Sequence, residues 1–204
     1  MPVRSLAVLL MVAACGESRS IDDGGTVDYV PVMAWDAWEP VDGDDPYVAD
    51  VPDAVDCTAR AFSIATDGLL KSAHNPQGLV PTFATSSCGF ATVMQPTLRA
   101  IEPGETLVAA VFHTRLLSPE PSTATVSVRI GEHALLHELV PIDVTAPADD
   151  CPTGATDGYC HASARHSGTW TATQALPAGT PLYFHVHNHG DNEYWLVDLR
   201  PDVN

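Results

Sequence analysis

Three histidines at alternate positions carry the strongest hint of chemistry in this chain, in the run Tyr183-Phe184-His185-Val186-His187-Asn188-His189-Gly190-Asp191-Asn192-Glu193. If the run is a strand, Leu182, Phe184 and Val186 face one way. Tyr183, His185, His187 and His189 then face the other. Alternate side chains on a strand stand about 7 Å apart, so two imidazoles at that spacing can converge on one ion. A third ligand is required. His113, from a separate apolar run, completes the expected set with His185 and His187. His137, Asp191, Glu193, or His161 with His166 could take its place. Nitrogen ligands suit copper or zinc and do not suit calcium. The same face offers a second use, as a ligand-binding surface built from Tyr183 and Trp195. Trp195 belongs to the next strand, either beside the histidine stripe or, as the alternation favours, in the core. The bland alternative is a solvated face, because Asn-His-Gly-Asp-Asn is also natural turn chemistry.

The other motifs are weaker. His133 and His137 share a strand face at about 13 Å, too far apart to chelate together. His74-Asn75-Pro76 reads as a loop. There is no G-x-S-x-G elbow, H-E-x-x-H pair or Walker loop, and no carboxylate pair stands out. A non-catalytic role is therefore the expectation. Copper-dependent monooxygenases of the ascorbate type also carry an H-x-H pair on a strand of a β-sandwich domain, but the resemblance is confined to that three-residue pattern.

The elements that must position these residues are nearly all strands. Short apolar runs occur at Ala59 to Ala65, Leu79 to Ala84, Gly89 to Met94 and Pro96 to Ile101. Thr106 to Arg115 is a longer one, and Thr123 to Ile130 alternates cleanly. Gly131-Glu132 turns the chain into His133 to Val140. Gly168 to Thr173 follows an Asp/Pro-rich loop, and Leu182 to His189 is expected to pair with Glu193 to Leu199 as a hairpin across Gly190-Asp191-Asn192. Many short strands separated by Pro/Gly turns predict an all-β fold, an antiparallel β-sandwich of jelly-roll or immunoglobulin-like type.

Upstream, Gly16 to Asp56 holds twelve acidic residues, scattered prolines and one basic residue, Arg19. That composition predicts an extended acidic tether. Tyr29 to Trp38, with two tryptophans, departs from it and is either unstructured or docked on the domain or a partner. Asp42-Gly43-Asp44-Asp45 lacks the spacing of a calcium loop and reads as solvated acids. The expected organisation is a leader at 1–14, a flexible tether at 15–56 and the sandwich at 57–204.

The net charge is −17 with a single lysine, Lys71, so the chain repels phosphate backbones and nucleic acid is excluded as a partner. Arg4 precedes the apolar run Ser5 to Val12, which is too short to span a bilayer. The run ends in Val12-Ala13-Ala14-Cys15, which resembles the bacterial lipobox. That resemblance implies diacylglycerol on the Cys15 thiol, cleavage before Cys15 and acylation of the new amine, for example with palmitate. Several acyl chains make a lasting anchor. In that family an Asp after the cysteine often means retention in the inner membrane, so the resemblance with Gly16 there implies the outer membrane. An exported chain is oxidised, so the other four cysteines predict two disulfides. Short loops favour Cys57–Cys88 and Cys151–Cys160. The functional expectation is a lipid-anchored envelope lipoprotein whose sandwich binds a glycan or an envelope protein. A copper or zinc protein and a purely structural envelope protein are the alternatives.

Overall fold

The computed structural model describes residues 30–41, 47, 61–85, 89–143, 159–187, 190 and 192–202. Cys15 and the lipobox, Cys57, Cys88, Cys151, the Asp42–Asp45 run, His189 and Asp191 lie outside the described residues. Cys160 is buried and disulfide-bonded, with its partner also outside them.

Among the described residues there are twelve strands: β1 (Glu39–Pro40), β2 (Phe62–Thr66), β3 (Leu79–Ala84), β4 (Phe90–Pro96), β5 (Thr106–His113), β6 (Leu116–Ser118), β7 (Ser122–Ile130), β8 (His133–Ile142), β9 (Tyr159–His161), β10 (Ala164–Thr171), β11 (Pro181–His187) and β12 (Glu193–Pro201). Sheet I runs β1-β4-β11-β7-β8, sheet II runs β10-β5-β12-β3-β2, and β6 pairs with β9 beside them. Every pairing is antiparallel. The protein is an antiparallel β-sandwich. Its eight principal strands, β3, β4, β5, β7, β8, β10, β11 and β12, are divided between the sheets as in a jelly roll, alternating except for the β7–β8 hairpin within sheet I. In their own sequence order, one sheet reads second-seventh-fourth-fifth and the other first-eighth-third-sixth.

The alternation expected from sequence sets the core. Ala124, Val126, Val128 and Ile130 of β7 and Leu182, Phe184 and Val186 of β11 are fully buried. They meet Leu107, Ala109 and Val111 of β5 and Tyr194 and Leu196 of β12. In β12 a bulge between Leu196 and Asp198 shifts the register, so Leu199 turns inward with Tyr194 and Leu196.

Two expectations about elements are corrected. First, β11 and β12 form no hairpin. β11 pairs with β4 and β7 in sheet I, and β12 pairs with β3 and β5 in sheet II. The crossing between sheets is pinned at Asn192, a buried side chain that accepts from Leu117 N–H (2.6 Å) and donates to Leu117 O (3.0 Å). Thr85 Oγ1 donates to Gly190 O and to Asn192 O. Gly190 is required there, since a Cβ would stand 2.1 Å from Leu117 O. Second, Pro96 to Ile101 is no strand. Pro96 ends β4, the next residues cross the end of the sandwich, and Ile101 makes only an isolated bridge to Leu176.

The tryptophan patch in the expected tether is docked. Val32, Met33, Trp35 and Trp38 join the core cluster, and β1 pairs with β4. Ala34 N–H donates to Gln95 Oε1, and Leu98 N–H donates to Val32 O. Residues 30–41 close the side of the sandwich that β4 would otherwise leave as a bare edge.

Candidate functional site

The first candidate place is the outer face of sheet I. Register aligns Thr92 of β4, His185 of β11, Ser127 of β7 and His137 of β8 in one row across that face. His185 is buried, and its Nδ1 lies 2.8 Å from Thr92 Oγ1. The Tyr47 ring stacks on it at 3.9 Å with 5° between planes, and Arg129 sits 5.7 Å from the centre of Tyr47. Burial, followed by the nearby His187 and His137, pushes the His185 imidazole down to about 3. Ser127 Oγ lies 3.3 Å from Leu136 O and 3.3 Å from His137 Nδ1. Neither a solvated stripe nor an open chelate describes this face. A tyrosine from the upstream segment covers its central histidine.

The expected metal set does not assemble. His185 and His187 lie on the outer face of sheet I. His113 ends β5 on the inner face of sheet II, in the same alternation as the buried Leu107, Ala109 and Val111. The two faces are separated by the core itself. Tyr183 and Trp195 are parted as well. Half-buried Tyr183 meets Tyr47 edge-on at 6.5 Å on sheet I. Trp195 packs on Phe112 at 5.7 Å on the outer face of sheet II. Trp195 is thus neither beside the histidine stripe nor in the core. Its place follows from its strand joining the opposite sheet.

The second place is the corner where β5, β9, β10 and β8 meet. His113 Nδ1–H donates to Thr114 O at 2.6 Å, and His113 Nε2 lies 3.0 Å from His166 Nε2. The His113 ring centre is 5.1 Å from that of His166 and 5.7 Å from that of His161. Burial drives His113 down to about 4, against the pull of the Thr114 carbonyl, and its two histidine neighbours add to the shift. His166 is lowered mainly by burial, with Glu138 of β8 opposing and His161 assisting. Neutral His113 carries its proton on Nδ1, so His166 Nε2–H is the donor between the rings. His161 Nδ1 and Tyr194 Oη are buried without a hydrogen-bond partner.

The third place is a cleft of about 250 Å³ between residues 31–36 and 74–79, bordered by Leu98. Trp35 Nε1–H donates to His74 O at 2.8 Å, which holds the two walls together. Asn75 is buried and structural, with Leu79 N–H and Leu79 O both bound to its side chain. Asp36 and Gln77 are exposed at the rim. Sequence reasoning left this cleft unseen because its walls are joined by a contact spanning 39 residues. The only local signal was the presence of two tryptophans among acids.

No protein-family model matches the chain, and no curated protein matches it. Among solved structures, it is similar to an arabinose-bound GH51 α-L-arabinofuranosidase (13% identity, TM-score 0.41), covering 87% of this chain and 25% of that one. It is similar to a family 16 carbohydrate-binding module-2 (8%, 0.38; 70% of this chain, 86% of that one). It is also similar to the K1 cleaved adhesin domain of Lys-gingipain from Porphyromonas gingivalis W83 (12%, 0.37; 87% and 94%). The chain therefore spans about a quarter of the arabinofuranosidase. At these identities and TM-scores the likeness assigns no residue, and the three places stand on their own geometry.

Proposed function

We propose that this chain is a bacterial envelope lipoprotein, anchored in the outer membrane through acylated Cys15, whose jelly roll binds a glycan in the Trp35 cleft without catalysing a reaction on it. The cleft carries the reading. Its walls are connecting segments held on a rigid sandwich, the usual setting for recognition. Trp35, Met33, Pro76 and Leu98 supply apolar lining, while Asp36 and Gln77 supply a carboxylate and an amide at the rim. A sugar ring needs that combination: apolar contact for its C–H surface and polar partners for its hydroxyls. The acidic residues between Cys15 and the sandwich would hold the module off the bilayer.

Binding of the purified full-length chain to a glycan array tests the site. Asp36→Ala and Gln77→Ala lie at the rim and spare the core. Each is expected to weaken a glycan hit by about tenfold, the equivalent of one hydrogen bond to a charged or amide group. Binding that survives both substitutions, or that disappears instead with Tyr183→Ala, overturns the cleft. A blank array with capture of an envelope protein would replace the glycan by a protein ligand. For the anchor, Cys15→Ser should move the chain from the membrane to the soluble fraction. Unchanged membrane fractionation refutes lipidation.

A further inference from the structure

The geometry points to a site for a nitrogen-seeking divalent ion, Zn²⁺ or Cu²⁺, held by His113, His166 and His161 at the corner of the sandwich. It is independent of the Trp35 cleft and lies on the other sheet from His185. Strand pairing builds it. Ala164 is opposite His113 and His166 is opposite Val111, so His113 and His166 occupy adjacent rows on the same face of neighbouring strands. The short β6–β9 pair brings His161 against the same ring.

The distances fit ligation. Zinc–nitrogen bonds of about 2.0–2.1 Å at tetrahedral angles put two ligand nitrogens about 3.3 Å apart and their ring centres about 5 Å apart. His113 and His166 present their Nε2 atoms 3.0 Å apart, with ring centres at 5.1 Å. The His161 ring centre lies at 5.7 Å from that of His113. Among the described residues no three His, Cys, Asp or Glu side chains yet share an ion-holding centre. Ligation therefore requires His161 to move toward the pair; it is half-exposed, and its Nδ1 has no hydrogen-bond partner to give up.

The surroundings suit a cation. His113 donates its other ring N–H to a backbone carbonyl, which orients a ligating imidazole and directs its Nε2 lone pair into the site. Glu138 acts on His166 as a negative charge and would act on an ion in the same sense. Tyr194 Oη is buried without a partner, and its ring centre lies 6.1 Å from that of His113. A nitrogen-only set favours zinc and copper over magnesium or calcium.

Calorimetric titration of the chelator-stripped, full-length chain with Zn²⁺ and Cu²⁺ tests the site. One equivalent per chain with a Kd of about 1 µM or tighter is expected for at least one of them. Co²⁺ should give visible bands of tetrahedral intensity. His166→Ala and His161→Ala lie at a half-exposed edge, and the thermal melt of each metal-free variant reports that it folds. Each should weaken binding about tenfold or more, while His187→Ala on the other sheet leaves it unchanged. No binding tighter than about 10 µM overturns the site, as does affinity that survives both variants. Affinity abolished by His187→Ala overturns it too.

Discussion

A buried side chain with nothing to replace it sets the local cost of a substitution, and Asn192 is such a residue. Both ends of its amide satisfy the backbone of Leu117. Asn192→Ala leaves the half-buried N–H and C=O of Leu117 without these partners, so the chain should lose about 1–2 kcal/mol in denaturant unfolding. His185 makes a second prediction. Its folded pKa, held at about 3 mainly by burial, is below its ordinary value of 6.5. The unfolded chain therefore takes up the proton first as pH falls. Stability from this group is complete above about pH 6.5 and is lost progressively toward pH 3. Between pH 7 and pH 5 it should account for about 2 kcal/mol, measured by unfolding in chelator. His185→Asn should flatten that slope.

At the scale of elements, the sandwich closes where its edge strands meet. The inner face of β10 lies over β8, with Trp170 stacked on His133 at 4.9 Å. Gly168 sits between them, where a Cβ would stand 2.1 Å from Leu135 O. Backbone cannot yield to a methyl group as a flexible side chain can. Gly168→Ala should thus cost about 3 kcal/mol, read as a fall in Tm of about 10 °C. His166 lies two residues before Gly168 on the same face of β10, so a displacement of β10 should also weaken Zn²⁺ binding. On the opposite side, β1 and the segment before it do for β4 what β8 and β10 do for each other.

For the molecule as a whole, the sandwich includes residues that composition alone assigns to a spacer. A chain starting at residue 57 removes Val32, Met33, Trp35 and Trp38 from the core and uncovers the β4 edge. It should melt well below the full-length chain and bind a hydrophobic dye. Equal Tm values would show that the segment is an ornament of the surface. Much of the architecture was nonetheless legible beforehand. The inward faces of β7 and β11 follow from which residues alternate, a property each strand carries within itself. The all-β class follows from the turns between such runs. Neither the separation of β11 from β12 nor the docking of Trp35 could be read that way, because each depends on partners far along the chain. The histidines divide along the same line. That His185 and His187 share a face was visible in their spacing. That His113 belongs with His166 and His161 was decided by the β5–β10 register and the β6–β9 pair. Side-chain alternation is a local consequence of backbone geometry, whereas the choice of neighbour is made by all the strands at once as they bury their apolar faces together.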